Sequence, residues 1–312
     1  MKFGFLSLNT ASGILPGRLG IELENRGFES LWFPEHSHIP ITSVASFPDP
    51  TRTMPDGYAH MMNPFVSMAA AGATTKQLKL ATGMALGLEH DLLDLASTLS
   101  TLDVLTQGRV IAGFGVGWDA QAFAHARGEL PFKRRYSALK DRVAALRAAW
   151  STAQIGHYSG PYSNTSWGQQ ISSYQGTYDA FEPSWVFPKP IGPSIPIALG
   201  VSGPTGIKHT IDYADIWAPV DSALRDAKGH IDVAGAITGF RDLLQAQGRS
   251  PDAVSITLFN IDGLDAKTVE YYASLPIERL VVGPPTFDCH SEAETLKALD
   301  NMTSLIAQHG TT

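Results

Sequence analysis

GRVIAGFGVGWDAQAF, residues 108–123, places an apolar run directly before three glycines at alternate positions, Gly113, Gly115 and Gly117. Glycines spaced in this way let a backbone come close to something, often a phosphate. A dinucleotide-binding fold needs G-x-G-x-x-G at a strand-to-helix turn, with an acidic residue roughly 20 positions on to hold a ribose. The spacing here is G-x-G-x-G, and the segment where that acid belongs, LPFKRRYSALK (130–140), is basic. The motif also follows a fourth apolar run instead of opening the chain. These glycines are not a dinucleotide fingerprint.

Working outward from this stretch, short apolar runs alternate with helical segments along the whole chain. They are KFGFLSL (2–8), SLWF (30–33), LKLATGMAL (78–86), RVIAGF (109–114), IPIALG (195–200), ADIWAPV (214–220), VSITLF (254–259) and RLVVG (279–283). Most are continuously apolar, the pattern of parallel strands buried on both faces. Helices fit between them. Asn63 and Pro64 read as N-cap and first helical residue. Tyr136, Leu139, Val143, Leu146 and Trp150 form one apolar stripe at spacings of three and four, and Leu296, Leu299, Met302 and Ile306 form another. Eight strand–helix units over 312 residues predict a (β/α)8 barrel, an α/β fold, as one domain spanning 1–312.

On such a barrel the glycine stretch leaves the C-terminal end of the fourth strand, where active sites form. A second glycine-rich turn, LGVSGPTG (199–206), leaves the fifth. Each loop alone reads equally well as plain turn chemistry. Their adjacency favours a shared phosphate cradle, with Gly115, Val116 and Gly117 on one side and Gly200, Val201, Ser202 and Gly203 on the other.

Two stretches break the rhythm, 35–62 after the second strand and 151–190 before the fifth. The latter holds four tyrosines and two tryptophans among Gly, Ser and Gln. Aromatic content argues against disorder. The preferred reading of 151–190 is a lid over an active site, and the alternative is a packing excursion across the outer face.

Composition narrows the function classes. The net charge is −7 without a dense basic run, which argues against nucleic acid and anionic membranes as partners. Mean hydropathy is −0.03, no run approaches membrane-spanning length, and MKFGFLSLNT is too short in apolar residues for a signal peptide. The lone Cys289 leaves no internal disulfide and fits a reducing compartment. The expectation is a cytoplasmic protein.

The order SLWFPEH, NPFVSMAAAGATT, then LKLATGMALGLEHDLLDLASTLSTLDVLTQGRVIAGFGVGW resembles the bacterial luciferase-like monooxygenase superfamily. PFKRRYSALKDRVAALRAAW, FPKP, PIALGVSG and YADIWAPV continue the match, which covers nearly the whole chain outside 151–180. The nearest branch is the one that uses the deazaflavin coenzyme F420 in place of FMN. The resemblance implies a (β/α)8 barrel with the cofactor at its C-terminal mouth, a homodimer, and a strand-three bulge whose non-prolyl cis peptide backs the ring. The matching bond is Gly83–Met84. It also implies an acid and a histidine after strand two, Glu35 and His36, with His36 handling a proton near the reactive ring carbon; His38 has weaker support. The chain departs from its relatives at Gln121, where many carry glutamate, and at Val201-Ser202, which separate glycines often adjacent.

The implied activity is hydride transfer between F420 and an organic molecule, fairly large and apolar or planar to judge by the aromatic content of the two long loops. FMN-dependent monooxygenation on the same barrel is the alternative. A deazaflavin tail needs cations, for which Arg109, Lys133, Arg134, Arg135 and Lys208 are candidates. His36-Ser-His38 has the H-x-H form of amidohydrolase barrels, but LGVSG, WAPVD and VVGPP lack the further histidines of such a metal site. A non-catalytic ligand-binding barrel is the remaining reading.

Overall fold

A computed structural model describes residues 1–46, 53–153, 157–261, 263–284 and 291–310, so Cys289 lies outside the described residues. Eight parallel strands close into a barrel: β1 (Lys2–Leu6), β2 (Ser30–Phe33), β3 (Lys79–Thr82), β4 (Val110–Phe114), β7 (Ile197–Leu199), β8 (Ile216–Trp217), β9 (Ser255–Asn260) and β10 (Arg279–Val282). β1 pairs with both β2 and β10, which closes the ring. Each strand coincides with one of the eight apolar runs. Continuous apolarity has its expected cause, since SLWF, VIAGF and RLVV are buried at every position.

The packing has two layers. Leu6, Trp32, Ala81, Ile111, Ala198, Phe259 and Val281 are among those filling the barrel interior, while a larger apolar layer lies between the sheet and the surrounding helices. Trp32 and Phe259 meet edge to face at 5.2 Å inside the barrel. Beneath them Arg279, only 1% exposed, holds Glu29 bidentately at 2.6 and 2.7 Å and reaches Thr257 at 3.0 Å. Burial opposes the Glu29 charge, yet the Arg279 guanidinium outweighs it and keeps the carboxyl below its ordinary range.

The helices α1 (Pro16–Asn25), α2 (Pro64–Thr74), α3 (Leu92–Leu105), α5 (Arg135–Trp150), α6 (Pro204–Tyr213), α7 (Val233–Ala246), α8 (Ala266–Ala273) and α9 (Glu292–His309) follow the strands, with a short α4 (Ala120–Ala126) before α5. Asn63 caps α2, its side chain accepting from the N–H groups of Phe65 and Val66 at 3.0 and 3.1 Å. Leu139, Val143, Leu146 and Trp150 of the α5 stripe are buried. None of the helices is long and apolar enough to cross a membrane, among the described residues.

The third run is shorter as a strand than 78–86 suggested, and the reason is local. After Ala81 pairs with Ile111, the ladder resumes only at Ala85 opposite Phe114, so four residues of one strand span three of the other. The Thr82 hydroxyl fills the gap, donating to the Gly113 carbonyl at 2.7 Å and accepting from the Gly113 N–H at 2.9 Å. This is a β-bulge. The Gly83–Met84 peptide within it is cis.

Residues 157–190 pack along the outside of α5, the alternative to a lid. They carry an antiparallel hairpin, β5 (Ser172–Gln175) and β6 (Ala180–Ser184). Asp141 accepts from the Tyr174 hydroxyl at 2.7 Å and from the N–H groups of Tyr178 and Asp179 at 2.6 and 2.9 Å. Arg142, 2% exposed, grips the Asp179 carboxylate at 2.7 and 2.9 Å. Lys189 donates to the Ala149 carbonyl at 2.7 Å, near the far end of α5.

Candidate functional site

A cavity of about 390 Å³ opens at the C-terminal ends of the strands, within the ordinary range for ligand sites. Nearly every strand end contributes. Leu6 ends β1, Pro34-Glu35-His36 follow β2, Gly83-Met84 follow β3, and Gly115 to Trp118 follow β4. Gly200 to Ser202 follow β7, Ala218 and Val220 follow β8, and Phe259 and Ile261 lie at the end of β9. The walls are mostly apolar, and Glu35 and His36 are its ionisable lining residues with Tyr58.

The structure gathers Glu35, His36, Gly83, Met84, Gly115, Val116, Gly117, Gly200, Val201 and Ser202 around this one cavity. Gly203 does not line it. That residue is the N-cap of α6, with a φ of −78° and open space where a side chain would project.

The glycines turn out to have different duties. The Gly115 N–H is bonded to the Ala85 carbonyl at 2.9 Å and the Gly200 N–H to the Phe114 carbonyl at 3.1 Å, so neither serves a phosphate. A Cβ at Gly200 would come within 2.5 Å of Met84 Cγ, so Gly200 makes room for the Met84 side chain. Gly117 has a φ of +71°, a left-handed conformation that glycine adopts at no steric cost. The N–H groups of Gly115 and Gly200 are thus spent within the barrel, and Gly117 and Ser202 line the cavity beside them.

Glu35 is buried, and its carboxylate accepts from the Leu86 N–H at 2.7 Å and from His90 Nε2 at 2.9 Å. His36 sits between rings, with Tyr58 at 5.0 Å and Trp118 at 5.9 Å between centroids. Burial pushes the His36 imidazole down to about 4, although the charges of Glu35 and Asp119 pull the other way. His36 is therefore neutral at pH 7. Burial pushes neighbouring Glu89 up to about 7, reinforced by the Glu35 charge. Burial also opposes a charge on His90, but the Glu35 hydrogen bond and the charges of Glu35 and Glu89 outweigh it and move His90 up.

Sequence reasoning missed His90, Tyr58 and Trp118 as part of this site. For His90 a usable signal existed, because it directly precedes the α3 N-cap Asp91 in the loop leaving β3, at the same end of the barrel as Glu35. His38 points elsewhere, its Nε2 lying 3.0 Å from His125 Nδ1. Gln121, the departure from glutamate, accepts from Thr42 and Ser43 and ties the 35–62 stretch to α4.

The cavity fits a planar cofactor ring: Leu6, Met84, Val220, Phe259 and Ile261 give apolar walls, with backbone and Ser202 at one edge. Arg109 does not serve a cofactor tail. It sits at the opposite end of the barrel, donating to the carbonyls of Gly72, Thr75, Leu78 and Thr106 at 2.7–3.0 Å. The Arg135 guanidinium lies over the Phe132 ring at 4.0 Å.

Comparison with known proteins agrees with this fold. An uncharacterized protein of Mycobacterium tuberculosis is 32% identical over 292 residues, 91% of this chain and 92% of its own length. The F420-dependent hydroxymycolic acid dehydrogenase of the same species is 24% identical over 78% of this chain and 57% of that protein. Among solved structures, an F420-dependent secondary alcohol dehydrogenase in complex with an F420-acetone adduct superposes with a TM-score of 0.71 at 16% identity, covering 100% of this chain and 99% of that one. A monooxygenase from Streptomyces bottropensis gives 0.69 at 17% identity, covering 99% and 98%. The profile of the luciferase-like monooxygenase family matches residues 17–261, and the chain belongs to that family.

Proposed function

We propose that this protein is an F420-dependent oxidoreductase that transfers a hydride between the deazaflavin and an organic substrate in the mouth cavity. The observation that carries this reading is His36, a neutral imidazole in the wall of an otherwise apolar cavity at the C-terminal ends of the strands. The relatives named for F420 dependence support the choice of cofactor. When bound, the deazaflavin supplies the site that accepts or gives the hydride.

The chain supplies the rest. The apolar wall orients a flat ring and excludes water. Neutral His36 accepts a proton from the substrate as the hydride leaves it, so dehydrogenation is the direction its protonation state suits. A base with so low a pKa holds that proton only briefly. Glu35, adjacent in sequence and lining the same cavity, is our candidate for drawing it on.

Equilibrium titration of the purified protein with F420 and with FMN, followed by cofactor fluorescence, tests the reading. Saturable F420 binding at least about tenfold tighter than FMN is expected, equivalent to about 1.4 kcal/mol. Tighter FMN binding overturns it in favour of a flavin-dependent monooxygenase.

A further inference from the structure

A second pocket, of about 440 Å³, lies beside the mouth and opens on the side of the barrel. It is polar where the mouth is apolar, lined by Glu89, His90, Asp91, Arg127, Arg142 and Asp179 among others. The tip of the β5–β6 hairpin, Tyr178 to Ala180, forms one of its walls. Glu35 lines the mouth, His90 lines the side pocket, and the two are joined by the 2.9 Å hydrogen bond between Glu35 Oε1 and His90 Nε2. One hydrogen bond thus spans the wall between the two chambers.

We propose that the Glu35–His90 pair is a proton path between the mouth and this side pocket, so that protons exchange with solvent without passing the bound cofactor. The proposal rests on the F420 reading above. Glu35 takes up a proton in the mouth. Its O–H bond then breaks as Nε2–H forms on His90, and the N–H bond at the ring's other nitrogen breaks to release a proton to water in the side pocket. A change of tautomer resets the ring. No electrons move in these steps, and one proton enters for each that leaves.

The surroundings suit the task. Arg142 holds the loop from beneath by donating to the carbonyls of Gly87 and His90 at 3.0 and 2.6 Å, while Leu86 N–H fixes the other Glu35 oxygen. The Phe65 ring meets His90 edge on at 5.3 Å and covers it from α2. The charged groups around His90 are Glu35 from the loop after β2, Glu89 and Asp91 on its own loop, Arg142 from α5, Asp179 from the hairpin and Arg127 across the pocket. The same carboxylates that face His90 raise its proton affinity, and Glu89 beside it is pushed up to about 7 by burial and the Glu35 charge. The 151–190 stretch then reaches the chemistry by walling the exit.

Two measurements test this. In protein without cofactor, histidine NMR should show His90 titrating above the ordinary histidine range, and Glu35→Gln should bring it down by about 1 unit or more; an unmoved His90 overturns the coupled pair. In the loaded enzyme, His90→Gln keeps a donor toward Glu35 but cannot carry a proton through its side chain. His90→Gln and His90→Ala should bind F420 within about threefold of the parent and lose roughly 10²-fold in kcat or more. Added imidazole should restore the Ala variant and not the Gln variant. A Gln variant with the parent's kcat and pH profile overturns the path. If the parent fails to bind F420, the functional reading falls while the NMR arm still decides the pair.

Discussion

Residues 35–62 and 151–190 look alike in sequence, both irregular and both carrying aromatic side chains, yet they go to different places. The end of the first lies at the mouth: Tyr58 and Met61 line the cavity, and Met62 is fastened by backbone and side-chain bonds with Asn9, each 2.7 Å. The second turns its aromatics on one another. Trp185 meets Trp167 at 5.3 Å and Tyr158 at 5.1 Å, and its Nε1 donates to the Gly168 carbonyl at 3.1 Å. Aromatic content says that a segment must pack, not against what. Topology decides the partner. The first stretch leaves the C-terminal end of β2 and so starts at the mouth, whereas the second leaves the end of α5, at the opposite end of the barrel, and only its hairpin tip climbs back to the rim.

The sharpest way to break this contrast is at His36. His36→Ala should lower kcat by about 10²–10⁴-fold while F420 affinity changes by less than about threefold, measured by titration beside single-turnover kinetics. Its titration carries a stability signature as well. The folded value of about 4 lies below the ordinary 6.5, so stability is full above pH 6.5 and is lost as pH falls toward 4. Glu89 acts in the opposite sense: with a folded value near 7 against 4.5, stability is lost as pH rises between them. Melting temperature against pH should show His36→Gln flattening the acid limb and Glu89→Gln the other.

On the outer side, the largest effect should come from the buried Arg142–Asp179 pair. Asp179→Ala leaves the buried Arg142 guanidinium without its counter-charge, still bonded only to the carbonyls of Gly87 and His90, and should cost about 3–5 kcal/mol in urea unfolding. The double replacement Arg142→Met with Asp179→Leu should recover much of that loss. A single variant that costs nothing would mean the hairpin is not anchored as described.

Smaller differences sharpen the assignment of the glycines. Gly115→Leu places a side chain into the cavity beside Met84, whose Cβ is 3.4 Å from the new Cβ position, and should weaken F420 binding about tenfold or more, about 1.4 kcal/mol. Gly203→Leu projects into open space and should change it far less. Equal losses would return Gly203 to the binding cradle. Trp185→Ala should be the mildest for function, leaving affinity unchanged while costing about 1–3 kcal/mol of stability from lost aromatic contacts.

The barrel was legible because burial on both faces leaves one unmistakable trace, an apolar run bounded by polar helix starts. Strand lengths were less so. The bulge after Thr82 substitutes a hydroxyl for two ladder bonds without changing the apolar pattern of LKLATGMAL, while β7 begins only after Pro196 and β8 ends two residues before Pro219. In the site, Glu35 and His36 came from the family resemblance, which puts an acid and a histidine after β2. The Glu35–His90 bond did not, because it joins residues 55 apart that only the barrel brings together. The glycines misled most, since room for Met84 and room for a phosphate leave the same mark in a sequence.

Hydrogen–deuterium exchange with and without F420 puts the central claim to the most direct test. Bound cofactor should protect backbone amides in 58–61, 83–90, 115–118 and 200–202, while 157–175 and 181–190 exchange as before. Protection falling on the 157–190 stretch instead of the strand ends, or no change anywhere at saturating F420, would contradict the account.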